Sequence, residues 1–151
     1  MFPSDLLSDS GTRRAVRAGA HRALLLACLL TAWSVSGQCL ASEFRFTFEW
    51  GDIPLCTSGN PNRVDNPSFS LSNVPQGTTE IHFRLQDLDV PSFNHGGGTV
   101  AYKNQDVIEP GAFQYESPCP PGGKHTYEWT ATAVDGYGGE VGKARARKEY
   151  P

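Results

Sequence analysis

Methionine occurs once in the 151 residues, at position 1, and charged side chains make up only 19%. With aromatics at 11%, this composition favours a β-rich domain over a helical bundle. The chain also lacks the run of about 20 apolar residues that a membrane-spanning helix needs. It contains no G-x-S-x-G nucleophile motif and no C-x-x-C pair, which removes the usual signatures of an α/β hydrolase and of a zinc or dithiol site. A basic stripe is missing as well. The run KARARK (Lys143 to Lys148) stands alone near the C-terminus and reads as a solvated strand or tail.

What the first 41 residues contain is an export signal. Arg13, Arg14, Arg17 and Arg22 precede the apolar stretch ALLLACLLTAWSVSG, Ala23 to Gly37, and CLAS (Cys39 to Ser42) offers small residues for cleavage after Ala41. Residues 1–41 are therefore expected to leave as a signal peptide, with 42–151 forming one domain in the periplasm or secreted, without stable membrane insertion. Of the 16 acids and 13 bases, two acids and four bases depart with the signal, leaving 14 and 9 and a formal charge of −5. That balance opposes nucleic-acid binding, which needs cations to neutralise phosphates. Cys56 and Cys119 are the two cysteines that remain. In an oxidising compartment they are expected to form a disulfide closing a loop of about 62 residues, worth on the order of 4 kcal/mol in the chain-entropy model.

Period-two alternation dominates the rest. Phe44, Phe46, Phe48 and Trp50 share one face of a first strand, and a short strand follows over Phe69 to Val74. Thr79 to Val90 carries Ile81, Phe83 and Leu85 inward, with His82 outward and solvated. Thr99 to Lys103 reads as a further strand. The segments 51–68 and 109–124 read as loops rich in Gly, Pro and Asn. His125 to Val134 presents His125, Tyr127, Trp129, Ala131 and Ala133 on one face, and the basic run after DGYGG is placed as a final edge strand. No amphipathic helix is expected in 42–151. The fold class is all-β, an antiparallel two-sheet β-sandwich.

The same parity singles out a polar set. Asp87 and Asp89 continue the inward face of Ile81, Phe83 and Leu85, and His125 opens its strand on the inward face of Tyr127 and Trp129. An acid ending one strand and a histidine starting its antiparallel neighbour meet at one rim of the sandwich. Pro91, His95 and the triple glycine Gly96 to Gly98 follow the acids closely. Each has an ordinary reading as a strand cap, surface loop or satisfied core histidine; together they outline a small pocket with both donors and acceptors.

These blocks resemble a known family. NPSFSLSNVPQGTTEIHFRLQDLDVPSFNHGGGTV and SPCPPGGKHTYEWTATAVD are similar to the phosphatidylethanolamine-binding protein family, in its bacterial, exported, Raf kinase inhibitor-like branch. The carriers are DLDVP (Asp87 to Pro91), His95, SPCPP (Ser117 to Pro121) and GKHTY (Gly123 to Tyr127), and the likeness spans about residues 52–135. It implies a β-sandwich with an anion pocket at one rim, lined by Asp87, His95, His125 and Tyr127. Asp89 stands beside these, the loop from Pro120 and Pro121 to Gly123 forms a wall, and Pro91 is a cis-proline candidate. Leu88 and Thr126 depart from the family's proline and arginine, and Gly96 to Gly98 replaces a bulky apolar strand.

The expected function is a non-catalytic exported binding protein. Its ligand would be a small anion, a phosphate, carboxylate or phospholipid head group, with no cofactor, no metal and no nucleic acid; a protein partner is left open. Two other classes are kept. One is a carbohydrate- or protein-binding module using Tyr102, Phe113 and Tyr115 as a surface platform, and the other a hydrolase with Asp87 and a histidine as general base.

Overall fold

The computed structural model describes residues 42–151, so the expected signal peptide, residues 1–41, lies outside the described residues. Among the described residues are nine strands and no helix. The strands are β1 (Arg45–Glu49), β2 (Arg63–Asp65), β3 (Ser68–Ser72), β4 (Thr78–Asp87), β5 (Gly97–Ala101), β6 (Val107–Ile108), β7 (Gln114–Glu116), β8 (His125–Asp135) and β9 (Glu140–Tyr150). All pairings are antiparallel.

Alternation explains the first sheet, β1-β3-β6. Phe46 faces Leu71 and Phe48 faces Phe69 across the ladder, and all four are buried while Arg45, Thr47 and Glu49 are exposed. The second sheet runs β5-β4-β8-β9. Its inner face carries Ile81, Phe83, Leu85, Tyr127, Trp129, Ala131 and Ala133, each 3% exposed or less. The two inner faces interlock through aromatic rings. Phe69 stacks on Phe83 with centroids 4.2 Å apart, and the edge of Trp129 meets Phe69 at 5.2 Å. Burying each such side chain contributes about 1.5–3 kcal/mol, and the offset and edge-on geometries suit the ring quadrupoles. The basic run is the edge strand β9, with Lys143, Arg145 and Arg147 exposed on the face opposite the core.

A two-stranded ribbon of β2 and β7 adds to the sandwich, in segments that the sequence presents as loop. Val64 pairs with Tyr115 there, and Tyr115 is 1% exposed, edge-on to Trp129 at 5.0 Å. Three-residue strands flanked by Pro and Gly carry too little alternation to be seen. Asn66 stands behind the ribbon. Its buried amide donates to the carbonyls of Pro67 and Glu109 and accepts from the Phe113 N–H, holding two irregular segments together. Cys56 and Cys119 are joined with an S–S distance of 2.02 Å, as their parity and number led one to expect.

Candidate functional site

The β4–β8 register brings the polar set together. Asp87 pairs with Tyr127 across the ladder, so the last residue of β4 lies beside the first turn of residues in β8. Only a ladder in this register puts Asp87 and the strand-opening His125 on the same inner side, since a slip of one residue would reverse both faces. His125 Nδ1 donates to Asp87 Oδ2 at 2.7 Å. The other carboxylate oxygen accepts from the N–H groups of Asp89 and Val90 at 2.8 and 3.0 Å. By capturing those two amides, Asp87 ends β4 itself. Burial works against ionising this carboxyl, but the His125 bond and the two amides outweigh it and hold Asp87 below its ordinary value of 3.8.

Chain reversal then follows a turn in which Phe93 N–H donates to Val90 O at 3.0 Å. Pro91 occupies the second position of that turn, which a trans proline suits. Among the described residues the cis peptide is Tyr150–Pro151, so Pro91 is trans, against the cis expectation. Asp89 also departs from its expected inward parity. Because β4 stops at Asp87, Asp89 is exposed, and its Oδ2 accepts from the Thr126 N–H at 2.7 Å, clamping the turn to the start of β8.

The turn returns the chain to His95, which is 3% exposed. His95 Nδ1 donates to Glu116 O at 2.9 Å, and Glu116 N–H donates back to His95 O at 2.9 Å. The imidazole meets Tyr127 edge-on at 5.4 Å and lies under Phe93 at 4.6 Å. Burial pushes the His95 imidazole below its usual 6.5, and the Glu116 carbonyl and the Asp87 charge only partly oppose this. The Tyr127 hydroxyl lies near the Asp87 carboxylate and the Cys119 backbone but makes no hydrogen bond with either. Burial first, then the Asp87 charge, raises its ionisation well above that of a free phenol.

Asp87, His95, His125 and Tyr127 share one cavity of about 190 Å³. Pro120 and Pro121 form one wall, Val90 and Phe93 another, and Gly59 and Pro61 a third. Cys119 lines the cavity too, so the disulfide ties the 117–121 wall to the 56–61 wall. Pro121 thus stands at the pocket, while Pro91 and Gly123 are exposed and outside its lining, as is Asp89. Sequence reasoning missed Val90, Phe93, Gly59 and Pro61. The available signal was Cys56, whose bond to Cys119 had to bring residues 57–61 to the same rim. Asp87, Asp89 and His125 place one ligand atom each within 4.8 Å of one another, but each of these acids already serves a hydrogen bond that shapes the rim.

Packing explains the last two of the three glycines, while Gly96 has open space around it and a positive φ of +78°. Gly97 and Gly98 lie against Phe83 and Arg84 in the β4–β5 ladder. A Cβ at Gly97, where φ is +155°, would run into the Phe83 carbonyl, and one at Gly98 would overlap the Phe113 ring. It is the sandwich that approaches this backbone so closely. The Tyr102, Phe113 and Tyr115 platform does not form either, since Tyr115 is buried and the other two are half-buried against the core.

Two solved structures match this fold. One is a putative phosphatidylethanolamine-binding protein homologue from Chlamydia trachomatis, with a TM-score of 0.52 and 18% identity over 72% of this chain and 97% of that one. The other is E. coli YbcL, described as a new member of the mammalian PEBP family, with the same TM-score and identity and 98% of its chain covered. The fold is that of the phosphatidylethanolamine-binding proteins. No protein-family model and no curated protein matches the sequence. At 18% identity the likeness is one of fold alone, and the chemistry of the rim must be argued from its own residues.

Proposed function

We propose that the chain is an exported, non-catalytic binding protein whose rim pocket takes a small oxyanion, such as a phosphate, a carboxylate or a phosphorylated head group. The observation that carries this reading is the convergence of His95 and His125 on one cavity, each with Nδ1 already committed to a protein acceptor. The Nε2 atoms are thereby left to a ligand, and both rings are held in fixed orientations. Tyr127 lines the same cavity, with its hydroxyl buried behind it. Exposed hydrophobic residues Val90 and Phe93 at the mouth give the ligand's non-polar portion a surface to cover.

A binding role is favoured over covalent catalysis because the lining carries no activated nucleophile. Cys119 is in the disulfide, and the Tyr127 hydroxyl holds its proton tightly. The disulfide supports an oxidising, exported location. Calorimetric titration with phosphate and acetate tests the proposal. Millimolar or tighter binding that is lost in His125→Ala and in His95→Ala is expected, and binding unaffected by both substitutions would overturn it.

A further inference from the structure

The rim pocket contains no lysine or arginine, and its one fixed charge is the Asp87 carboxylate. An oxyanion entering it therefore meets a like charge, and what can hold it there depends on where the hydrogens sit. A peptide carbonyl only accepts, so the His95 nitrogen facing Glu116 O, Nδ1, carries the hydrogen. Asp87 is ionised, so the His125 nitrogen facing it carries one as well. The groups around the two rings are Asp87 on β4, Asp89 in the turn, Glu116 on β7, Tyr127 on β8 and Tyr150, which pairs with His125 from β9. Lys124 precedes His125 in the chain, but its ammonium lies 3.7 Å from Glu149. Burial keeps the His95 ring neutral at pH 7. Its Nε2 is then a lone pair, which a ligand satisfies only by donating a hydrogen.

Resting on the binding reading above, we propose that the pocket selects an oxyanion that keeps a hydrogen of its own over one that has none: hydrogen phosphate or a singly protonated phosphate monoester over sulfate or a phosphate diester. The ligand hydroxyl donates to His95 Nε2, the ring atom that the Glu116 carbonyl leaves free. A site built around a fixed acceptor rejects an isosteric ligand that lacks the matching donor, because the acceptor is left buried and unpaired. Above the second ionisation of a phosphate monoester, near pH about 6, the ligand must also take up a proton as it binds. Its affinity then falls about tenfold for each further pH unit.

The test is calorimetric titration of the purified protein at pH 7 with inorganic phosphate, methyl phosphate, dimethyl phosphate and sulfate. Phosphate and methyl phosphate are expected to bind at least about tenfold more tightly than the other two. Dimethyl phosphate mimics the diester linkage of a lipid head group, so this arm also separates a free phosphate from a membrane source. His95→Gln replaces the lone pair with an amide that can donate, and should bring sulfate to within about twofold of phosphate. If that variant fails to fold, titration of the native protein at pH 8 in buffers of different ionisation heat should show about one proton taken up per methyl phosphate, which has lost its own hydrogen at that pH. Sulfate or dimethyl phosphate binding as tightly as methyl phosphate overturns this selectivity and leaves the binding reading intact. If none of the four binds at concentrations up to about 10 mM, the binding reading itself falls.

Discussion

Gly98 lies directly beneath the ring of Phe113, so that a methyl group added at position 98 would overlap the ring. Phe113 in turn stacks on Phe83, with centroids 5.9 Å apart, and Phe83 is the cross-strand partner of Gly98. The ring thus fills the space over β5 that side chains of a bulkier strand would occupy. Gly98→Ala is expected to destabilise the domain by about 1–3 kcal/mol through overpacking, read as a melting temperature lower by at least about 4 °C. Combining it with Phe113→Leu should recover part of the loss. Additive losses in the double variant would refute the contact as its cause.

The Cys56–Cys119 bond carries a second prediction. Cys56→Ser with Cys119→Ser should cost about 4 kcal/mol in chemical unfolding, the chain-entropy value for a loop of this size. Because the bond joins two pocket walls, the same variant should bind phosphate more weakly at a temperature where it is still folded. A double variant that unfolds as the native protein does would show that other contacts fix these loops.

Acid should weaken the fold in two steps. His95 has a lowered folded-state value, so the unfolded chain binds its proton first and stability falls as pH drops below about 6.5. Asp87 is also lowered. Its contribution is fully present above the ordinary carboxylate value of 3.8 and is lost as pH falls below it. Melting temperatures measured from pH 8 to 3 should show both declines. His95→Gln should remove the upper one, and a profile unchanged by that substitution would count against a neutral, buried His95.

Tyr115 offers a test of opposite sign. Its hydroxyl is buried without a hydrogen-bond partner, and burial raises its ionisation. Tyr115→Phe removes an unsatisfied polar atom while keeping the ring against Trp129. Stability should stay level or rise by up to about 1 kcal/mol. A loss larger than that in urea unfolding would mean that the hydroxyl is bonded in solution.

The all-β class, the long strands and the disulfide were legible in the residues because alternation over five or more positions and a pair of cysteines leave few alternatives. Parity carried Asp87 and His125 to the same rim, since both belong to strands long enough to fix their faces. The expectation failed at Asp89 and Pro91, two and four residues past the strand end, because the Asp87 carboxylate takes the Asp89 and Val90 amides and stops the ladder there. His95 was marked as a site residue, but its burial and its pairing with Glu116 depend on β7, a strand of three residues that sequence alternation does not reveal.

By itself the sequence determined which faces of the long strands are apolar, and therefore that two sheets must close on each other with an acid and a histidine at one rim. The tertiary structure decided what that rim is made of. Long-range contacts brought in Phe93, the proline walls and the disulfide, and turned Gly97 and Gly98 into points of close packing against Phe83 and Phe113. It also fixed where hydrogens sit on the two imidazoles, because a tautomer is set by the acceptor opposite each ring nitrogen, and Glu116 O and Asp87 Oδ2 reach those positions only in the folded chain.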